Sequence, residues 1–496
     1  MNLKLFFVSI ISGVLSGLSF NHPCFSFLIW FTLSPFFFVL EKSKKTRLLI
    51  YAFGAGFAYF FTVIFWVGYV TKLGLIILVF YLSLYWVVFA YLAKFFLRRS
   101  FKFLTIPSLW ILLEFSREMI WPRFGWAILG YSQYKNVFLI QGADILGVKF
   151  ISWLIILTNI TIYDILKKKI AGRNYREGGL LPKAGPWQII SKETILFATL
   201  LSVSFLYSFY RVNTGEISGK IKLSLVQTNI SQDLKWESSY IPVILEKLKR
   251  LGKLAPESAL IIYPEASYPF ILQKSNLAEL QNLFDGINKT ALIGAVEKAN
   301  GKFYNAAIML NQEGEILAKY RKLKLVPFGE YIPLRNFVKF IKVINTMGDI
   351  SPGNNKEVFS LNGKKFSVLI CFEDLFAFMA RDFARGSDFI VNITNDAWFH
   401  GEPEASQHLA VLVFRAIENR IPIVRAANTG ITGWVSSTGD IKKFSRKGKE
   451  IFTEGVFAAD INLDKEVSFY SRHPELIVLF AVIAVFMPIF GRYNDN

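Results

Sequence analysis

Cysteine and histidine are scarce in this chain: Cys24 and Cys371 are its two cysteines, and four histidines are scattered through 496 residues. That excludes a disulfide framework, and the spacing offers no Cys- or His-based zinc pattern. Charge is thin as well, with 19% charged residues against 53% apolar and 16% aromatic. A disordered chain is therefore excluded. At roughly 150 residues per domain the length would suggest about three soluble domains, but the hydropathy is too high for three ordinary ones. Part of the chain is expected to lie in a membrane.

Apolar runs close to the twenty or so residues that a bilayer requires fall at about 3–20, 26–40, 49–69, 74–93, 103–120, 149–166, 194–210 and 475–490. The first lacks a small-residue cleavage site and is followed at once by Asn21, His22, Pro23 and a second apolar run, so it reads as a retained span. Lys and Arg outnumber Asp and Glu by 56 to 37, a formal charge of +19, and their placement gives that excess a cause. The second connection carries Lys42, Lys44, Lys45 and Arg47, the fourth Lys94, Arg98, Arg99 and Lys102, and the sixth a longer basic series. The first has none and the third only Lys72. Basic residues stay on the cytoplasmic side, so both termini are expected there, with the segment between the seventh and eighth spans outside. Insertion accounts for much of the charge without a nucleic-acid partner.

The fifth connection, about 121–147, is long and half apolar. Its Trp121, Trp126, Tyr131 and Tyr134 suit either the headgroup layer or a loop packed on the helices. Residues 211–472 form one soluble block. Short β-branched runs at 223–230, 259–267, 291–298, 305–311, 366–374, 388–396 and 421–435 alternate with amphipathic segments at about 240–252, 276–288, 376–385 and 404–419. The alternation predicts a layered α/β domain. Late in that block Lys442, Lys443, Arg446, Lys447 and Lys449 cluster, more in the manner of a solvated hairpin than of a contact for anionic headgroups.

Reactive groups of layered α/β domains sit at strand ends, and three candidates stand at or just beyond apolar runs. Glu265 follows LIIYP, Lys322 precedes the apolar turn that ends in Glu330, and Cys371 closes VLI ahead of Phe372 and Glu373. Taken singly each has an ordinary reading: a buried small hydrophobe, a surface acid, a solvated basic face.

Taken together, in the order Glu, Lys, Cys and with these flanks, they resemble the nitrilase superfamily. The whole chain resembles the bacterial apolipoprotein N-acyltransferase family, through GYSQ and QGADILG, VQTNISQDLKW, YPEAS, YRKLKLVPFGEYIP, CFED, and NDAWF continuing through QHL to RAIENR. The resemblance implies a polytopic α-helical membrane domain of eight spans plus an α/β nitrilase-like α-β-β-α sandwich. The division would be 1–210 for seven membrane helices, 211–472 for an extracytoplasmic catalytic domain and 473–496 for the eighth span and a short tail. It also implies residence in the bacterial inner membrane with the catalytic domain periplasmic.

Carried onto this sequence, the resemblance makes Cys371 the nucleophile, Glu265 the general base and Lys322 the oxyanion-stabilising cation, with Trp236, Glu330, Phe372 and Glu373 supporting. Phe372 departs from the tyrosine common at that position, so a hydroxyl contact there is lost; His400 receives no role. The implied reaction takes an acyl chain from a phospholipid onto Cys371 as a thioester, then passes it to the α-amine of a diacylglyceryl-cysteine at an apolipoprotein N-terminus. No metal or other cofactor is expected. A membrane-tethered amidohydrolase is the alternative enzyme. A transporter is disfavoured because Glu114 is the main ionisable residue within the predicted spans.

Overall fold

The computed structural model describes residues 2–99, 101–177, 192–215, 217–235, 237–332, 349–399, 401–464 and 466–490. The chain separates into two compact units, residues 1–214 with 469–496, and residues 215–468.

The first unit is helical. Helices or helical turns stand at each of the eight predicted places: Leu3–Leu18, Pro23–Trp30 continuing through Ser34–Lys42, Lys45–Ile64, Lys72–Phe96, Lys102–Met119, Val148–Glu177, Lys192–Asn213 and Leu476–Phe490. Five segments among the described residues are long and apolar enough to cross a membrane: Pro23–Lys42, Lys45–Ile64, Lys72–Phe96, Val148–Ile170 and Thr194–Asn213. Leu3–Leu18 and the apolar stretch Leu476–Met487 are shorter. Lys102–Met119 is interrupted in character by Pro107 and by Glu114, Arg117 and Glu118 on one buried side.

Those three charged residues organise the fifth connection. The Glu114 carboxylate accepts from the Leu129 backbone N–H at 2.8 Å and from the Trp110 indole N–H at 2.9 Å. Arg117 donates to the carbonyls of Phe124, Trp126 and Ala127. Lys149 pairs with Glu118 at 2.6 Å. Trp126, Tyr131 and Tyr134 are consequently buried, and only Trp121 of the four aromatics is exposed. The connection is a packed loop, which corrects the headgroup-layer alternative for these three. Glu114 is an anchor for loop backbone, with two donors already on it.

The second unit has two sheets. In the first, β13 (Gly455–Asp464), β1 (Ile217–Gln227), β2 (Leu260–Ile262), β4 (Ala291–Ala299), β5 (Lys302–Leu310) and β6 (Ile316–Arg321) lie in that order, with β3 (Ile271–Leu272) also paired to β4. The second runs β12 (Ile441–Lys443), β11 (Gly433–Val435), β10 (Ile423–Ala427), β9 (Phe389–Thr394), β8 (Lys364–Ile370), β7 (Phe359–Leu361). The central strands β1, β2 and β4 are mutually parallel, as are β8, β9 and β10. Every residue of β9 and β10 is buried, as befits strands covered on both faces.

Helices Ile241–Leu254 and Leu277–Phe284 bury Ile244, Leu248, Leu251, Leu280, Leu283 and Phe284 against Ile261, Ile293 and Ile308 of the first sheet. Helices Ala377–Ala384 and Glu402–Asn419 pack on the second. The sheets also touch each other, β1 against β10 and β5 against β8, so the layers run helix, sheet, sheet, helix. The basic cluster forms a hairpin whose Lys442, Arg446, Lys447 and Lys449 are exposed, with Lys443 paired to Glu450 at 2.5 Å.

Candidate active site

Four loops leave the carboxyl ends of strands from both sheets and meet. Glu265 lies three residues beyond β2, Lys322 directly follows β6, Cys371 directly follows β8, and Asn395 directly follows β9. The chain turns sharply to present them. Cys371 opens the short turn Cys371–Leu375 with φ +51°, and Ala266 adopts φ +46° after the glutamate. Left-handed backbone at non-glycine residues costs on the order of 1–2 kcal/mol each, which the surrounding bonds must offset. Gly294 on β4 lets that neighbour come close. A Cβ there would lie 2.4 Å from Ala266 N, 2.5 Å from Pro264 O and 2.6 Å from Glu265 Cα.

Lys322 is the hub. It is 1% exposed, and its Nζ donates to Glu265 Oε1 at 3.3 Å and to Glu330 Oε1 at 3.0 Å. Asn305 on β5 joins the same two carboxylates, its Nδ2 donating at 2.7 Å to Glu265 and at 2.8 Å to Glu330. The other Glu265 oxygen accepts the Asn395 backbone N–H at 2.9 Å. Burial opposes charge on Lys322, but Glu330 and Glu265 outweigh it and hold the ammonium pKa well above the ordinary lysine value. The site therefore keeps a fixed cation.

Cys371 is half-buried and feels both partners. Burial and the Glu265 charge push its thiol pKa well up, with Lys322 pulling the other way. The resting sulfur is a neutral thiol beside a carboxylate, an arrangement in which a nucleophile forms only as the base takes its proton. Glu373 ties the turn to the lysine loop. It is fully buried and accepts from Tyr320 Oη at 2.8 Å, Leu323 N at 2.6 Å, Lys324 N at 3.0 Å and Ile370 N at 2.9 Å. Burial lifts its pKa to about 7 against these donors. Phe372 packs edge-on against Phe376, with ring centroids 5.3 Å apart.

Of the sequence-predicted residues, the structure gathers Glu265, Lys322, Glu330, Cys371 and Glu373, and places Phe372 on the nucleophile turn; Trp236 and His400 lie outside the described residues. Sequence reasoning missed Asn305, Asn395 and Tyr320. Asn395 stands in the NDAWF motif, whereas Asn305 sits within an apolar strand run, where a buried amide between alanines and a tyrosine was the one available signal. Lys235, beside Trp236, is also buried; burial lowers its pKa to about 8, against the Glu265 charge.

Among the described residues Asp396, Glu404 and His408 bring three donor atoms within 4.8 Å of one another. Their shared space is taken by the Arg425 guanidinium, whose NH2 lies 2.8 Å from Asp396 Oδ2 and 2.9 Å from His408 Nδ1. A divalent cation would sit against that fixed charge, so the group is read as an ion cluster.

The carbon–nitrogen hydrolase family model matches residues 222–468, the part of the chain that forms this sandwich and holds Glu265, Lys322 and Cys371. A model of the apolipoprotein N-acyltransferase N-terminal domain matches residues 12–161. An apolipoprotein N-acyltransferase of Geobacter metallireducens is 33% identical across 95% of this chain and 92% of its own length. That of Rickettsia prowazekii is 27% identical across 96% and 97%. The chain belongs to the apolipoprotein N-acyltransferase family. Among solved structures, an amidase from Nesterenkonia sp. is 19% identical and covers 51% of this chain and 92% of that one, with a TM-score of 0.38.

Proposed function

We propose that Cys371, Glu265 and Lys322 carry the acyl transfer that gives this family its name, from a membrane phospholipid to the N-terminal α-amine of a diacylglyceryl-cysteine apolipoprotein. Cys371 Sγ attacks the lipid ester carbonyl as Glu265 takes the thiol proton, and Lys322 stabilises the oxyanion. The C–O bond then breaks and Glu265 returns the proton to the departing glycerol oxygen. In the second half the acceptor amine attacks the thioester, a C–N bond forms, the C–S bond breaks, and the proton lost by nitrogen returns through Glu265 to sulfur. The thioester lies above the oxygen ester in energy and the amide below both, so the transfer needs no nucleotide.

The observation that carries this reading is Lys322, buried with its Nζ between Glu265 and Glu330 on the loop that Glu373 ties to the Cys371 turn. Glu330 and Asn305 hold the lysine and the base in register. Glu373 joins the lysine loop to the nucleophile turn, Phe372 packs that turn, and Trp236 keeps the supporting part that the family resemblance implies.

The membrane unit gives a donor whose acyl chains cannot leave the bilayer cheaply, at about 0.8 kcal/mol per CH₂, a route in from the side. Eight spans with both termini cytoplasmic and the catalytic unit outside agree with the Lys and Arg placement. In the domain assignment residues 1–210 form the membrane domain, 211–472 the catalytic domain, and 473–496 the last span and tail. The purified protein, given phospholipid and a diacylglyceryl peptide, is expected to yield N-acylated peptide and lysophospholipid, with both products lost in Cys371→Ala. Free fatty acid in place of N-acylated peptide would identify a hydrolase instead.

A further inference from the structure

The turn that carries Cys371 also joins a cluster of Asp374, Asp396, Glu404, His408 and Arg425, each 5% exposed or less. None of the five acts on substrate in the mechanism above. Their elements converge on one place. Asp374 lies in the turn Cys371–Leu375, Asp396 just past β9, Glu404 and His408 one turn apart on the helix Glu402–Asn419, and Arg425 on β10.

Two connections run from this cluster to the Cys371 turn. His408 Nε2 donates to Asp374 Oδ1 at 3.0 Å, three residues beyond the nucleophile in the same turn. Asp396, held by Arg425 at 2.8 Å, accepts from the hydroxyl of Thr394, the last residue of β9, at 2.9 Å. Arg425 NH1 donates to Asn392 Oδ1 at 3.2 Å, and Asn392 Nδ2 in turn donates to the Cys371 carbonyl at 3.4 Å.

We propose that His408, together with Arg425, is a positioning residue for the nucleophile: His408 fixes the Cys371 turn through Asp374, and Arg425, which donates to both His408 and Asn392, fixes the Cys371 carbonyl through Asn392. The proposal rests on Cys371 being the nucleophile. The hydrogen-bond geometry supports it. A guanidinium only donates, so Arg425 NH2 at 2.9 Å makes His408 Nδ1 an acceptor and leaves the ring proton on Nε2, aimed at Asp374. Glu373 and Asp374, adjacent in sequence, thus each hold the turn, one by backbone N–H groups of the lysine loop and the other by His408.

The test compares wild type, His408→Ala, Asp374→Ala and Asp374→Asn in the full-length protein. Turnover is measured alongside the rate at which iodoacetamide alkylates the Cys371 peptide over a pH series, read by mass spectrometry so that Cys24 is counted separately. His408→Ala is expected to lower kcat by about tenfold or more with KM within about twofold, because the turn loses a hold on the reacting atom. It also changes the alkylation profile, because the turn that sets the sulfur beside Glu265 and Lys322 is no longer held. Asp374→Asn, whose side-chain carbonyl still accepts from Nε2, recovers most of the rate lost in Asp374→Ala. A purely structural cluster would lower the unfolding temperature and leave the alkylation profile where it was, and that result overturns the proposal. Should His408→Ala fail to fold, Asp374→Asn against Asp374→Ala decides, recovery of rate and profile in Asp374→Asn supporting the proposal and equal loss in both overturning it. Cys371→Ala, run alongside, separates the two layers of inference. Retained turnover in that variant would remove the nucleophile assignment itself, whereas a dead Cys371→Ala beside an unaffected His408→Ala removes the positioning role alone.

Discussion

Gly294→Ala is the smallest change that should move Glu265, the proposed base, without touching it. The added Cβ would stand 2.4 Å from Ala266 N, 2.5 Å from Pro264 O and 2.6 Å from Glu265 Cα, and ordinary contact begins near 3.4 Å. All three are backbone atoms, so no side chain can swing away; either β4 or the 264–266 segment must retreat by about 1 Å, the shortfall between 2.4 and 3.4 Å. β4 is clamped between β2 and β5, whereas the 264–266 segment lies outside any strand, so the segment moves. Glu265 then sits about 1 Å from the place set by Asn305, Asn395 and Lys322. Misplacement on that scale costs on the order of 100-fold in rate, and overpacking costs about 1–3 kcal/mol of stability. A coupled assay of lysophospholipid release, with thermal unfolding in detergent beside it, is expected to find kcat down by about two orders of magnitude and KM little changed. A folded Gly294→Ala protein with kcat within about threefold of wild type would refute the claim that Glu265 needs its exact register.

Three further outcomes follow from the same geometry. Glu373 has a folded pKa raised from 4.5 to about 7, so the folded state binds its proton more tightly than the unfolded state, and stability from this group falls as pH rises from about 4.5 to about 7 and is level above that. At about 1.4 kcal/mol per unit the slope amounts to roughly 3 kcal/mol, and Glu373→Gln should flatten it in a series of unfolding temperatures against pH. Glu114→Ala strands the Trp110 indole N–H and the Leu129 N–H in the helical unit, each costing about 1–3 kcal/mol, so it should lower the unfolding temperature in detergent while residual folded enzyme keeps its kcat. Lys322→Met leaves Glu265 and Glu330 without their shared cation. Loss of acyl transfer by about 100-fold or more is expected, together with a Cys371 alkylation profile moved to higher pH.

Much of this architecture could be read from residue order, and the exceptions have physical causes. β4, β5, β8 and β9 were legible because central strands covered on both faces are nearly continuous apolar runs, as in Phe389–Thr394. Edge strands were harder. β6, β7 and β12 are short or carry lysines that resemble loop composition, and β13 escaped notice although Gly455–Asp464 alternates exposed and buried positions over its second half. The run 421–435 was read as one segment, but it folds as β10 and β11 with the turn Asn428–Thr432 between them. Glu265, Lys322 and Cys371 were legible as a set because their flanking motifs are long. Asn305 was not, because its role comes from facing two carboxylates 40 and 25 residues away in sequence. Likewise Trp126 and Tyr131 carry the composition of headgroup-layer aromatics; the carbonyls of their loop are taken up by Arg117, a pairing that no local pattern announces.

The most direct measurement of the central claim is the mass of the Cys371 peptide after the enzyme is incubated with phospholipid and no acceptor. The account predicts a fatty-acyl adduct on Cys371 that hydroxylamine removes and that disappears when a diacylglyceryl peptide is added, as the same acyl mass appears on the peptide amine. An unmodified Cys371 in an enzyme that nonetheless N-acylates the peptide would contradict it.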